Sequence, residues 1–198
     1  MLNLLAISGS LRAASTNSAL VAALARNAPA GCQVTIYDGL GRLPIFNPDD
    51  EGERTPREAA KLIDAVTGAD GVIVSCPEYA HGVPGGLKNA LDWLVSRDAA
   101  VAKPAMPVHA SPRSLFARAA LAEIMRTMSF ALYQDGLEIA LLGKKPPEVE
   151  ALLAEPGNVL AMRNALSAFA DFIRSCERHS LSLLPCARRW IGAQRRDG

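Results

Sequence analysis

Ile7-Ser8-Gly9-Ser10-Leu11-Arg12-Ala13-Ala14-Ser15-Thr16-Asn17 joins an apolar run, Leu2 to Ile7, to a segment, Ser18 to Arg26, in which Leu20, Val21 and Leu24 recur at helical spacing. The run reads as a buried strand and the segment as a helix, so a strand passes into a helix through hydroxyls, one glycine and one arginine. The first turn of such a helix has N–H groups with no carbonyl to reach back to, and it carries a partial positive charge. Ser10, Ser15, Thr16 and Asn17 add neutral donors beside the cation Arg12, and the set suits a phosphate. The same residue types are also ordinary helix caps, so the loop alone does not choose between a cap and a site. It lacks the closing Gly-Lys-Ser/Thr of a nucleoside-triphosphate loop and the three spaced glycines of a dinucleotide fingerprint, which argues against both.

Outward from this loop the chain alternates strand and helix. Asn27 to Gly31 stops the first helix, and Cys32 to Tyr37 follows as a second strand. Asp38 to Pro56 is long, proline-containing and acidic at its centre, with an apolar Leu43-Pro44-Ile45-Phe46 segment; a loop of this length usually acts in function or covers something. Pro56 to Thr67 reads as a helix and Asp70 to Cys76 as a near-continuous apolar strand. Leu87 to Val95 is the next helix, and Lys103 to Ala110 a fourth strand interrupted by Pro104 and by Pro107, which suits a central ladder poorly. Ser114 to Met128 is a helix, Phe130 to Leu142 contains a fifth strand, and Asn158 to Ser175 is a long final helix. Strands that are apolar throughout and separated by helices specify a parallel α/β sheet covered on both faces. Ligands bind such sheets beyond the C-terminal strand ends, where the loops after strands one, three and four meet.

The 198 residues allow one domain with a proper core, assigned to residues 1–178. His179 to Gly198 departs from the core pattern and reads as a basic, lightly ordered tail whose Trp190 packs on a neighbour, or as an anion or partner site. A net charge of +1 argues for neither nucleic acid nor an anionic membrane as partner. The four cysteines have no C-x-x-C spacing, so no metal is expected. The opening apolar run has no basic region ahead of it and is too short for a signal peptide or a membrane span. With unpatterned thiols, a reducing cytoplasm is the expected location.

After the third strand comes a second motif, Pro77-Glu78-Tyr79-Ala80-His81-Gly82-Val83-Pro84-Gly85-Gly86-Leu87-Lys88-Asn89-Ala90-Leu91-Asp92-Trp93. Its prolines and glycines fix an irregular backbone that can approach a flat heterocycle closely. Gly9-Ser10-Leu11-Arg12 with Ser15 and Asn17, then Pro77-Glu78-Tyr79, then Pro84-Gly85-Gly86-Leu87-Lys88-Asn89-Ala90-Leu91-Asp92-Trp93 together resemble the NADPH-dependent FMN reductase family. This is the flavodoxin-like group that includes bacterial quinone, chromate and azo-dye reductases, and the resemblance covers about residues 2 to 143.

The resemblance implies a three-layer flavodoxin-like fold with a five-stranded parallel sheet of order 2-1-3-4-5. It implies noncovalent FMN, NADPH or NADH as co-substrate, a small-molecule electron acceptor, and a homodimer or homotetramer. By the family pattern Ser10, Arg12, Ser15, Thr16 and Asn17 hold the phosphate. Pro77, Glu78, Tyr79 and Ala80 border the isoalloxazine, and Ser111 meets its other side. Relatives often carry Asn at position 80 and a residue other than His at position 81, and Ser111-Pro112-Arg113-Ser114 lacks their glycines. The cofactor supplies the redox chemistry, so no catalytic side chain is assigned.

Other residues have two readings. Tyr79 either walls an acceptor pocket or packs beside the loop. His81 is a surface or interface residue, or a proton donor to a quinone; Cys76 reads as an inert buried thiol, and Lys88 with Asp92 as a surface pair. Trp93, Leu87 and Leu91 are core or dimer interface, and the family favours the interface. Two functions compete with the reductase: a flavodoxin-like electron carrier, which the near-neutral charge disfavours, and a flavin-binding protein without turnover.

Overall fold

A computed structural model describes the backbone of residues 1–191 and the side chains of residues 1–178. The expectation of a basic tail packing Trp190 concerns side chains outside the described residues. Six strands, β1 (Leu2–Ser8), β2 (Cys32–Tyr37), β3 (Gly71–Ser75), β4 (Pro104–His109), β5 (Ala131–Leu132) and β6 (Leu137–Glu138), form one parallel sheet. Its order is β2-β1-β3-β4-β5, with β6 also paired to β4. The helices are α1 (Thr16–Arg26), α2 (Arg57–Gly68), α3 (Gly85–Asp92), α4 (Leu115–Thr127), α5 (Pro146–Ala154) and α6 (Pro156–Ile191). Among the described residues no helix is long and apolar enough to cross a membrane.

The continuous apolar strands have the consequence expected of them. Successive side chains point to opposite faces, and both faces are covered. Leu5, Ile7, Val72 and Val74 join one core with Leu62, Val66, Leu87, Leu91, Trp93, Leu121 and Met125 of the α2, α3 and α4 layer. Leu4, Ala6, Ile73, Met106 and Val108 join the other with Leu20, Leu24, Val149, Leu153, Leu166 and Phe169 of the α1, α5 and α6 layer. Leu87, Leu91 and Trp93 are therefore core of this chain, each at most 3% exposed, and offer no contact surface to a second copy.

The fifth strand of the sequence reading is two short pieces, and Pro107 accounts for the gap. The N–H groups of Ala131 and Tyr133 donate to the carbonyls of Lys103 and Ala105, and that of Ile139 to the carbonyl of His109, so odd-numbered residues of β4 face this edge. Pro107 is the next odd position and has no N–H to offer; the ladder breaks between Leu132 and Leu137. On the other side Pro107 keeps its place opposite Val74 of β3. The detour places Gly136 so near β4 that a Cβ there would lie 2.0 Å from the Pro107 carbonyl oxygen.

The long stretch after β2 forms three 3-10 turns and covers the α3 face. The Pro44 carbonyl accepts from Asn89 Nδ2 and Trp93 Nε1 at 2.8 and 2.9 Å, the Phe46 N–H donates to Asn89 Oδ1, and the rings of Phe46 and Trp93 meet edge to face at 5.0 Å. Helix α5 is absent from the sequence reading, although Lys145-Pro146-Pro147-Glu148 places proline at its first positions and Glu148 where it accepts from the Lys145 N–H.

Candidate functional site

The C-terminal ends of β1, β3 and β4 open on a cavity of about 1120 Å³. Ser10, Arg12, Ser15, Thr16, Asn17, Pro77, Glu78, Tyr79 and Ser111 all line it, whereas Ala80 does not. A smaller hollow of about 310 Å³, lined by Ser8, Ser18, Tyr37 and Asp38 among others, lies across the Gly9–Asn17 loop, and Arg12 and Ser10 border both.

One wall is the start of α1. Ser15 is its N-cap, with extended backbone and Oγ accepting from the Ser18 N–H at 3.2 Å; its capping role is met in full. The Asn17 side chain is buried, and its Oδ1 accepts from Ser75 Oγ at 2.9 Å, which ties α1 to the end of β3. Thr16 and Asn17 occupy the first two helical positions, where N–H groups have no intrahelical acceptor, and no acidic residue lies in the first turn. Arg12 is exposed and makes no ion pair among the described residues. The caps and the free donors thus coexist: Ser15 and Asn17 fix the turn, and the N–H groups of the first turn with Arg12 remain available to an anion.

The opposite wall is built from the loops after β3 and β4. Gly9 is where the two walls meet: its N–H donates to the Ser75 carbonyl at 2.7 Å, and a Cβ would lie 2.8 Å from Leu87 Cδ2 and 3.2 Å from Pro77 Cδ. Beyond Pro77, Tyr79 and Gly82 exchange both backbone hydrogen bonds, at 3.2 and 3.0 Å, around Ala80 and His81. Both residues have positive φ, 48° and 58°, the signature of a type I′ hairpin turn, which favours Asn and Gly at these positions. Ala80 therefore shapes the turn tip without reaching the cavity, and Tyr79 stands beside it, half exposed, with its hydroxyl 3.4 Å from Ser10 Oγ.

The second loop is strapped to the first. Ser114, the N-cap of α4, gives it no side-chain cap, and Glu78 supplies the acceptor from the loop after β3, its Oε2 2.9 Å from the Ala117 N–H. His81 stacks on Phe116 with ring centroids 4.4 Å apart. Ser111 Oγ accepts from the Arg113 N–H, and the Ser111 carbonyl accepts from Arg118 Nη2, which also pairs with Glu138 of β6. Beneath this loop burial and the Arg118 charge, opposed by Glu138, bring the His109 imidazole down to about 4. Burial, with Glu78 nearby, pushes the Cys76 thiol up to about 12, which leaves it inert. Lys88 and Asp92 are a surface pair.

The loop from Leu142 to Pro146 and Glu150 of α5 also line the cavity. Sequence reading missed this side because α5, which carries the loop inward, went unread; its proline pair and Glu148 were the available signal. The cavity as a whole brings together the start of α1 and the loops after β3 and β4.

The model of the family described as NADPH-dependent FMN reductase matches residues 2–138. A quinone reductase of Escherichia coli strain K12 is 37% identical over 94 residues, 47% of this chain and 50% of that protein. A protein named NADH:(hydroxy)cinnamate reductase subunit CrdA, of Vibrio ruber, is 35% identical over 128 residues, 64% of this chain and 62% of that one. The chain spans about half the length of the first of these curated relatives, and somewhat more of the second. Among solved structures, FerB, a flavoenzyme NAD(P)H:(acceptor) oxidoreductase from Paracoccus denitrificans, superposes with a TM-score of 0.67 at 23% identity, covering 85% of this chain and 99% of that one; at this identity the likeness shows the fold. The sheet order, the paired loops and the family match over residues 2–138 agree, and the chain belongs to the NADPH-dependent FMN reductase family.

Proposed function

We propose that the cleft holds FMN noncovalently and that the protein is an NAD(P)H-dependent oxidoreductase acting on quinone-like or other small acceptors. One observation carries the reading: in a chain of this family, a helix start with free N–H donors and two loops strapped to each other line a single cavity. The donor set fits the group. Arg12 and the N–H groups of Thr16 and Asn17 hold its phosphate, with Ser10 beside them and Ser15 and Asn17 fixing the turn. Backbone at Pro77, Glu78 and Tyr79 borders the ring, Ala80 acts through the turn it closes, and Ser111 meets the ring from the other side.

When bound, FMN supplies hydride and electron transfer, and no side chain of this chain need act as acid or base. The residues bind, orient and leave room: Tyr79, 52% exposed, walls the space where an acceptor would enter. Assembly as a homodimer or homotetramer accords with exposed Leu11, Tyr79, Leu115 and Phe116 on the cleft side, rather than with buried Trp93. The free thiols of Cys32, Cys76 and Cys176 accord with a reducing cytoplasm.

The test is purification without added flavin, then addition of NADPH under anaerobic conditions, then of a quinone. A yellow protein that bleaches with NADPH and recovers with quinone is expected. A colourless protein that takes up no added FMN contradicts the reading. A monomer by light scattering at micromolar concentration contradicts the assembly.

A further inference from the structure

We propose that the stacked rings of His81 and Phe116 select the electron acceptor, favouring a flat conjugated ring edged by a carbonyl oxygen; the inference rests on the FMN reading above. His81 belongs to the loop after β3 and Phe116 to the first turn of α4, yet both line the cavity. Their ring centroids lie 4.4 Å apart, and the planes are within 22° of parallel. The Glu78 strap holds them together, since it begins in the loop that carries His81 and ends on Ala117, the neighbour of Phe116. Leu115 is at least as exposed as Phe116 but does not line the cavity, which leaves it to a neighbouring copy.

The fold itself asks for neither ring. Phe116 is 57% exposed and belongs to neither core. His81, with φ of 58°, fills a turn position that Gly or Asn would take at less cost, so the turn does not call for an imidazole. Its ring nitrogens have no hydrogen-bond partner among the described residues. An imidazole always carries at least one N–H, and here that donor is free. An aromatic pair with a free N–H on one cavity wall suits a ligand that is flat, conjugated and edged by a carbonyl oxygen. A saturated diketone can accept the same hydrogen bond but cannot stack. A small acceptor has few other handles, so these contacts decide which acceptors bind.

The experiment titrates oxidised, FMN-loaded protein, without nicotinamide, by calorimetry with menadione and with camphorquinone, a saturated bicyclic diketone of similar size. Flavin content is read from absorbance, the fold from thermal unfolding and the assembly from light scattering. The wild type is expected to prefer menadione, and His81→Gly and Phe116→Leu each to lower the menadione to camphorquinone affinity ratio about 10-fold. Glycine suits the turn at position 81, so the loss in His81→Gly is not one of folding. His81→Phe keeps a ring but no N–H, and should weaken both ligands about 5-fold with the ratio unchanged. Stacking on the flavin is common to every variant, so changes in the ratio read the pair alone. Unchanged ratios in His81→Gly and Phe116→Leu would overturn the proposal, and a weakened assembly beside them would assign the rings to contact between copies. So would a wild type with no preference, or variants that lose FMN. A wild type that binds no FMN overturns the cofactor reading as well, and flavin content separates that failure from the others.

Discussion

The two walls of the cleft are held in different ways. The α1 wall is a helix start whose own side chains finish it: Ser15 caps, Asn17 locks to Ser75, and none of its non-glycine residues has positive φ. The β3–β4 wall is finished from outside, with α4 capped by Glu78 of another loop, the Ser111 carbonyl held by Arg118, and a hairpin tip in which two non-glycine residues lie in the left-handed region. A local wall can be altered one residue at a time, whereas a wall of mutual straps transmits each change to its neighbours. The strained tip, with its cost of order 1 kcal/mol per residue, sits beside the cavity where the ring is proposed to bind, a common place for such strain.

The largest expected effect is at Gly9, where the walls meet. Gly9→Ala drives a Cβ against Leu87 and Pro77 and should destabilise the protein by about 2–3 kcal/mol in urea unfolding, with weaker FMN binding, while Gly85→Ala, where a Cβ meets nothing, should cost far less. Equal costs at the two glycines would mean the walls do not press on each other at Gly9.

Next is His109 beneath the strapped wall. Its folded imidazole stays neutral down to about pH 4, while the unfolded chain takes up the proton near pH 6.5. Stability from this group is therefore whole above pH 6.5 and is lost as pH falls towards 4, a loss of about 2 kcal/mol. His109→Gln should remove that part of the slope between pH 6.5 and 4.5 in urea titrations, and an unchanged slope would show that burial there does not hold the imidazole neutral.

Glu78→Ala removes the only side-chain acceptor that caps the start of α4 among the described residues, and should cost about 1–2 kcal/mol. The same change should also quicken amide exchange in both loops of that wall; faster exchange in its own loop alone would contradict the strap. The smallest effect is at the tip, where Ala80→Asn should raise stability by about 0.5 kcal/mol, because Asn tolerates the left-handed conformation better than Ala.

The same contrast explains what was legible. Strands β1 and β3 announced themselves as apolar runs and β2 as an alternating one, and the α1 wall could be read because its capping residues lie within a few positions of what they cap. The β3–β4 wall was readable only through its resemblance to a family, since Glu78 acts 39 residues from Ala117 and nothing local marks that partnership. The broken fifth strand belongs to the same class. Pro107 was visible as a poor ladder residue, but which edge would lose its hydrogen bond depended on the direction Pro107 faces in the folded sheet. Helix α5 differs, since its prolines and Glu148 were in plain view, and without them the Leu142 to Pro146 side of the cavity went unread.

Whether the α1 wall receives a phosphate is tested most directly by titrating flavin-free protein with FMN and with riboflavin, for the wild type and Arg12→Ala. Arg12 is a cation among neutral donors, and riboflavin has no phosphate to lose. The wild type should bind FMN far more tightly than riboflavin, and Arg12→Ala should weaken FMN by about 10- to 100-fold while hardly changing riboflavin. Equal losses for the two flavins, or a wild type that does not distinguish them, would contradict a phosphate at the start of α1.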